Sequence, residues 1–197
     1  MKKTNKKEIL KVATYFFIKK GHDGTSLSEI GNAVGIQKGS LFNHIKNKEE
    51  LYREVVQHSI LQWQDPAVKF GLKDCSLLEF IDIYTQGIKQ TMKKLNELFD
   101  GNISSANYLS FILQSCEKYK DCEERISKIA KQGLEIWKSY IQKAKENGEI
   151  RQDVDVDLTG YLFHYTFYGS SYIEAIEVGL DVKQLKEIYY RLYNLLK

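Results

Sequence analysis

Residues Thr25 to Lys48 read TSLSEIGNAVGIQKGSLFNHIKNK, and the reading of this stretch decides the fold. Ser26 is followed three residues later by Glu29, the spacing of a capping box in which each side chain satisfies a free amide at a helix start. Leu27, Ile30 and Val34 then recur at helical spacing and give a short helix one apolar face. Gly35 stands where that helix must turn sharply, and glycine accepts the positive φ such a turn needs. Ile36 plugs the corner. A second helix, predicted over about Lys38 to His44, carries Leu41 and Ile45 inward and leaves Gln37, Lys38, Ser40, Asn43 and His44 facing out. Gly31 is small where the two helices cross. The pattern is that of a helix-turn-helix.

The outward set has the chemistry of a DNA-groove reader. Gln and Asn pair bidentately with adenine and Lys with guanine, while Ser and His reach phosphate oxygens. An ordinary helical hairpin with a polar exposed face fits the spacing and capping equally well. Charge distribution separates the two readings. The whole chain carries only +3, but residues 1–48 hold ten lysines against three acidic residues, a net of +7, and the remainder carries −4. Positive charge gathered on a small N-terminal segment is the footprint of a nucleic-acid partner. A solvated basic tail accounts for Lys2, Lys3, Lys6 and Lys7, but not for Lys38, Lys46 and Lys48 flanking the turn.

At these residues the segment resembles the DNA-binding domain of the TetR family of bacterial transcriptional repressors. The features that carry the likeness are Thr25, Gly31, Gly35, the run Lys38-Gly39-Ser40-Leu41-Phe42 with His44, and Lys48-Glu49-Glu50-Leu51 opening the next helix. The motif likeness covers about the first quarter of the chain. Beyond it, the helical layout and length are what match. Phe42 stands where the family usually has Tyr, and Gln37 where a Ser often caps the recognition helix. The resemblance implies an all-α fold of about nine helices. A three-helix DNA-binding domain at 1–48 would be joined by a helix at 47–64 to a larger effector-binding and dimerisation domain at 65–197. The expected DNA-contacting set is Thr25, Ser26, Gln37, Lys38, Gly39, Ser40, Phe42, Asn43, His44 and Lys48. An amine at a helix's first turn sits unfavourably with the dipole unless a phosphate docks there, which assigns Lys48 a backbone contact.

The 197 residues are 43% hydrophobic, enough for one core or for a small domain plus a larger one, and a single Pro argues against a sheet-rich fold. No apolar run approaches the roughly 20 residues of a membrane span. The basic start lacks the apolar stretch of a signal peptide, so the expected location is the cytoplasm, with no membrane partner. Cys75, Cys116 and Cys122 are odd in number and scattered, implying no disulfide framework; inert thiols are expected, with redox sensing the alternative. The four His at 22, 44, 58 and 164 form no metal motif with them, so no metal or cofactor is expected. There is no paired nucleophile and base and no Gly-rich phosphate loop, which leaves an enzyme without support.

Helix one is predicted over Lys6 to Lys20, with Ile9, Val12, Ala13, Phe16 and Phe17 on a wide apolar stripe. The helix from Asn47 or Lys48 to about Trp63 is expected to bury Leu51, Val55, His58 and Leu61-Gln62. Asp65-Pro66 ends it, and a loop runs to Cys75. Further helices are expected at about Ser76–Phe99, Ser104–Lys118 (with Leu109, Ile112, Leu113 and Cys116 inward) and Asp121–Asn147. The stretch Asp157 to Val178 is aromatic nearly all round, and the last helix, Val182 to Leu196, has a wider apolar stripe than a lone surface helix requires. Two such helices pair economically with the same two of a second subunit, as the resemblance also implies, through Tyr172, Ile176, Leu185, Ile188, Leu192 and Leu195. The alternative packs the last helix only within its own chain.

The expected function is therefore a homodimeric repressor that binds a palindromic double-stranded DNA operator and is released by a small, largely apolar effector. The alternative is an effector-independent activator or nucleoid-type protein. Tyr84, Phe111, Trp137, Tyr140, Tyr161, Tyr165 and Tyr168 are the candidates to line the effector cavity, against the plainer reading that they are core.

Overall fold

The computed structural model describes residues 5–71, 73–177 and 179–197, and it leaves out the side chains of Lys38, Trp63 and Val68. Lys2 and Lys3, the Val178 helix end and the Lys38 side-chain contact thus lie outside the described part. Among the described residues every regular element is helical. The order is α1 (Lys6–Lys20), α2 (Leu27–Val34), α3 (Lys38–Leu41) and α4 (Lys48–Val56), which continues through a π-helical turn (Gln57–Leu61) into α5 (Gln62–Gln64). Then come α6 (Pro66–Phe70), α7 (Leu77–Leu98), α8 (Ser105–Lys118), α9 (Lys120–Glu146), α10 (Val156–Ile176) and α11 (Val182–Leu195). With the α4–α5 run counted once, these are the expected nine helices plus the short α6. That extra turn falls where the sequence reading puts a loop. Asp65 Oδ1 accepts the Ala67 N–H, and Pro66 takes the first helical position, where its missing N–H costs nothing.

Packing divides the chain into two compact units, residues 1–63 with 95–123, and residues 64–94 with 124–197. Segment 95–123, which carries α8, therefore belongs to the same unit as the N-terminal helices.

In the first unit, Ile9, Ala13 and Phe17 of α1 are fully buried, as are Ile30, Leu41, Leu51 and Val55. Tyr52 is the hub. Its ring meets Phe17 at 4.9 Å, His22 at 5.0 Å, Phe111 at 5.6 Å and Tyr119 at 5.7 Å, and its hydroxyl lies 2.9 Å from Ser115 Oγ. Burial raises the Tyr52 phenol to about 12, so it stays a neutral hydrogen-bonding group. This hub sets the face of α8. Tyr108, Phe111 and Ser115 turn inward, while Leu113, expected inside, is 58% exposed. The π-helical turn likewise corrects the expected face of the α4 run. The wider turn brings Ser59 and Ile60 into the core and leaves His58 and Gln62 exposed. Tyr108 Oη donates to the Ser59 carbonyl within that turn at 2.8 Å.

The second unit is built around Trp137, fully buried and 4.7 to 5.3 Å from the rings of Tyr84, Phe80, Phe163 and Tyr189. Glu149 caps α7 by accepting the Leu77 and Leu78 amides at 3.0 and 3.1 Å. α10 lies close to α9 at Gly160, where an added Cβ would stand 2.6 Å from Lys138 Cγ. The other side of α10 is open in the single chain. Leu158, Leu162, Tyr165, Tyr172 and Ile176 are exposed, and with Gly169, around which nothing lies within 4 Å, they follow at alternating steps of four and three. Such a 3-4 rhythm is what a second helix packs against.

Candidate nucleic-acid interface

The N-terminal hairpin is held rigid from both ends of α2. Ser26 Oγ accepts the Glu29 amide at 3.1 Å, and Glu29 returns a carboxylate oxygen to the Ser26 amide at 2.9 Å, completing the capping box. Lys20 Nζ adds a 2.7 Å ion pair to the same carboxylate, tying α1 to α2. The Lys20 and Ser26 hydrogen bonds hold the Glu29 carboxyl down at about 2, so it is charged at any working pH. At the far end Gly35 adopts the left-handed conformation (φ 75°, ψ 29°), and Ile36 N–H reaches back to the Gly31 carbonyl at 2.9 Å. Only a residue without a Cβ adopts this conformation freely.

α3 is shorter than the periodicity predicts. It ends at Leu41, and the amides of Asn43 and His44 bond three residues back, to Ser40 and Leu41, tightening the last turn into 3₁₀-type geometry. Gln37, at the helix cap, forms no side-chain bond to the backbone, so its amide is free to contact a ligand. Gln37, Gly39, Ser40, Phe42 and Asn43 are exposed together and His44 half-buried, while Leu41 and Ile45 anchor the segment from beneath. Phe42 is 45% exposed, a large apolar ring placed among polar neighbours.

One expected contact is placed differently, and a second is half-buried. Thr25 is buried, and its hydroxyl donates to the carbonyls of Gly21 at 2.8 Å and Phe16 at 3.1 Å. It therefore fastens α1 to α2 and has no donor left for a phosphate. Lys48 opens α4 half-buried behind Asn47, whose side chain accepts the Glu50 amide at 2.8 Å. Glu49 and Glu50 share that first turn, so the chain supplies its own anions to the helix dipole there.

The expected effector and dimer residues do not converge on single sites. Phe111 belongs to the first unit and packs on Tyr52. Tyr84, Trp137 and Tyr140 are buried core of the second unit, with Tyr140 stacked on Phe80 at 3.8 Å. Tyr161, Tyr165 and Tyr168 are exposed on α10. Leu185 is fully buried in its own chain, because α11 turns it, with Tyr189 and Tyr193, onto the Trp137 cluster. Tyr172, Ile176, Ile188 and Leu195 are exposed and Leu192 half-buried.

Three features of the second unit escape sequence reading. The buried Trp137 Nε1 has no acceptor at hydrogen-bonding geometry, and neither does Ser171 Oγ. Lys69, half-buried on α6, lies 5.3 Å from the Phe167 ring and 3.3 Å from Gln64 Oε1, and burial lowers its ammonium to about 8. An open cleft of about 260 Å³ is lined by Lys73, Asp74, Ile136, Ser139, Tyr140 and Lys143. Among the described residues no helix is long and apolar enough to cross a membrane.

Comparison with known proteins agrees with this geometry. Residues 9–55 match the family model for bacterial regulatory proteins of the TetR family. The chain is 24% identical over 156 residues to the transcriptional repressor KstR2 of Rhodococcus jostii, covering 77% of this chain and 70% of that one. It is 45% identical over 53 residues to the biofilm-operon negative regulator IcaR of Staphylococcus epidermidis, covering 27% and 29%. The regulator QacR of Staphylococcus aureus matches at 37% over 68 residues, covering 34% and 36%. The fold superposes on the crystal structure of a TetR regulator from Chloroflexus aurantiacus (TM-score 0.63, 21% identity, 96% and 92% covered). It also superposes on the structure of the ketosteroid regulator KstR2 of Mycobacterium tuberculosis (TM-score 0.63, 19% identity, 100% and 97% covered). These relatives are named as transcriptional regulators, and the part of this chain that is similar to the TetR family model is the segment containing the helix-turn-helix built on Gly35.

Proposed function

We propose that the protein is a homodimeric repressor. In this reading each subunit lays α3 in the major groove of one half of a palindromic operator, and a small, largely apolar effector taken up by the second unit releases it. The observation that carries the reading is the exposed polar set of Gln37, Ser40 and Asn43 around a helix whose other side is anchored by Leu41 and Ile45. Base edges are read by Gln37, Asn43, Lys38 and the close backbone approach at Gly39. Ser26, Ser40, His44 and Lys48 serve the phosphates. Phe42 is an apolar contact for a thymine methyl or a sugar.

Dimerisation is supported by the exposed 3-4 rhythm of α10, from Leu158 to Ile176, with Ile188 and Leu195 of α11 beside it. An effector site in the second unit is supported by the unmatched donors of Trp137 and Ser171, since buried polar groups without partners are few in folded proteins.

A gel-shift on DNA immediately upstream of the protein's own gene, repeated over a small-molecule panel, tests the whole reading. A discrete complex released by one class of compound is the expected result. Binding of any duplex alike, with a steep salt dependence and no release, would replace it with an effector-independent nucleoid role.

A further inference from the structure

The scattered cysteines of the sequence become a pair in the fold. Cys116 lies in the last turns of α8 and Cys122 in the first turn of α9, and their Sγ atoms are 3.9 Å apart. Between them Tyr119 leaves helical geometry (φ −132°, ψ 113°), so that the chain bends and the two thiols face each other across the corner. Both are reduced. Cys122 is buried, whereas Cys116 is partly open to solvent. One reachable thiol backed by a second in contact is the arrangement that thiol–disulfide exchange needs, an attacking sulfur and a resolving one.

The corner is also where α4 is held. Tyr119 Oη donates to the Glu49 carboxylate, the Arg53 guanidinium lies 4.1 Å from the Tyr119 ring centroid, and the Tyr52 ring lies at 5.7 Å. Ser115, the residue before Cys116, has its Oγ 2.9 Å from the Tyr52 hydroxyl. Glu49, Tyr52 and Arg53 all belong to α4, which begins six residues after Phe42 closes the recognition helix.

We propose that Cys116 and Cys122 form a modification site, a dithiol that small-molecule disulfides close into an intramolecular disulfide, and that closure weakens DNA binding by shifting the Tyr119 corner beneath α4. The Cys116 thiolate attacks one sulfur of the small disulfide. A Cys116–small-thiol bond forms, the small disulfide's own S–S bond breaks, and the departing thiolate takes up the proton that Cys116 released. The Cys122 thiolate then attacks the Cys116 sulfur. The protein disulfide forms, and the second small thiolate leaves with the Cys122 proton. Two protein thiols are oxidised and one small disulfide is reduced to two thiols.

Closing the bond draws the sulfurs from 3.9 Å to the roughly 2.05 Å of a disulfide and fixes their dihedral, which constrains the corner between them. Burial pushes the Cys116 thiol up, its hydrogen bond with Cys122 opposes that rise and Glu123 adds to it, so exchange is slow at neutral pH.

The test treats the full-length reduced protein with oxidised glutathione, maps its bonds by peptide mass spectrometry, and measures affinity for the upstream DNA by fluorescence anisotropy before and after. A Cys116–Cys122 bond is expected, with affinity reduced about tenfold, within the usual range of coupling between sites, and restored by dithiothreitol. Cys75→Ser should behave as the parent, and Cys116→Ser should keep full affinity under oxidant. Absence of the mapped bond overturns the proposal, and so does a bond that forms while affinity stays unchanged. The mapping needs no variant, so it stands even if Cys122→Ala fails to fold. It also stands apart from DNA binding by the reduced protein, on which the repressor reading depends.

Discussion

The hairpin around α3 and the outer side of α10 are both left uncovered by the chain, but they leave opposite things uncovered. Around α3 the exposed groups are the Gln37 and Asn43 amides and the Ser40 hydroxyl, with the single Phe42 ring among them, on a segment only four helical residues long, anchored from below by Leu41 and Ile45. Along α10 they are Leu158, Leu162, Tyr165, Tyr172 and Ile176, spread over five turns. A hydrated polyanion suits the first and a second apolar helix suits the second. The contrast teaches that exposure alone says little about a partner, whereas the chemistry of what is exposed says much.

The contrast can be broken experimentally. Leu162→Asp with Ile176→Asp should yield monomers by light scattering and weaken operator binding by about 100-fold, the low end of what engaging two half-sites together contributes. A variant that remained dimeric would remove α10 from the interface. Asn43→Ala should cost about 1–3 kcal/mol at one operator base pair while leaving affinity for unrelated duplex intact, as read by anisotropy over single-base variants. Equal losses on every sequence would make Asn43 a backbone contact.

Lys69 tests whether the second unit is more than core. Its folded value, about 8, lies below the usual 10.5, so while charged it opposes folding. That cost is fully present below about pH 8 and disappears as pH rises toward 10.5. Lys69→Met should therefore raise stability at pH 7 by on the order of 2 kcal/mol, with the gain shrinking in alkaline melts. Thr25→Val should cost about 1 kcal/mol of folding stability and leave the salt dependence of DNA binding unaltered, since its hydroxyl serves two carbonyls. Lys48→Ala, the subtlest, should flatten the log K against log salt slope by about one unit.

Helix boundaries were legible where a side chain at the boundary does the work. Asn5, Ser26, Asn47, Ser104, Asp155 and Asp181 each accept an amide of the helix they precede, and such residues announce themselves locally. Faces were harder to read. On α8 the apolar residues Leu109, Ile112 and Leu113 compete with Tyr108 and Phe111, and only the presence of Tyr52 decides for the latter and draws the polar Ser115 inside. The π-helical turn has no local signature in QHSIL, and it moved His58 outward and Ser59 inward. In the candidate interface, the exposed polar set of α3 followed from spacing alone. Thr25 did not, because the carbonyls that claim its hydroxyl come from the preceding helix. The Cys116–Cys122 contact was likewise invisible, since six residues along one helix would point the two thiols apart, and only the break at Tyr119 joins them.

That wide turn at Gln57–Leu61 makes the α4 run the natural place for the chain to absorb an insertion or a deletion. Losing one residue there would let the run revert to regular α geometry with the later side chains kept on nearly their present faces, because the wide turn holds about one residue more than an α turn. Descendants one residue shorter at this point would thus inherit the same hairpin on one side and the same set of surface residues on the other. A single codon could be lost there while leaving the reading head untouched.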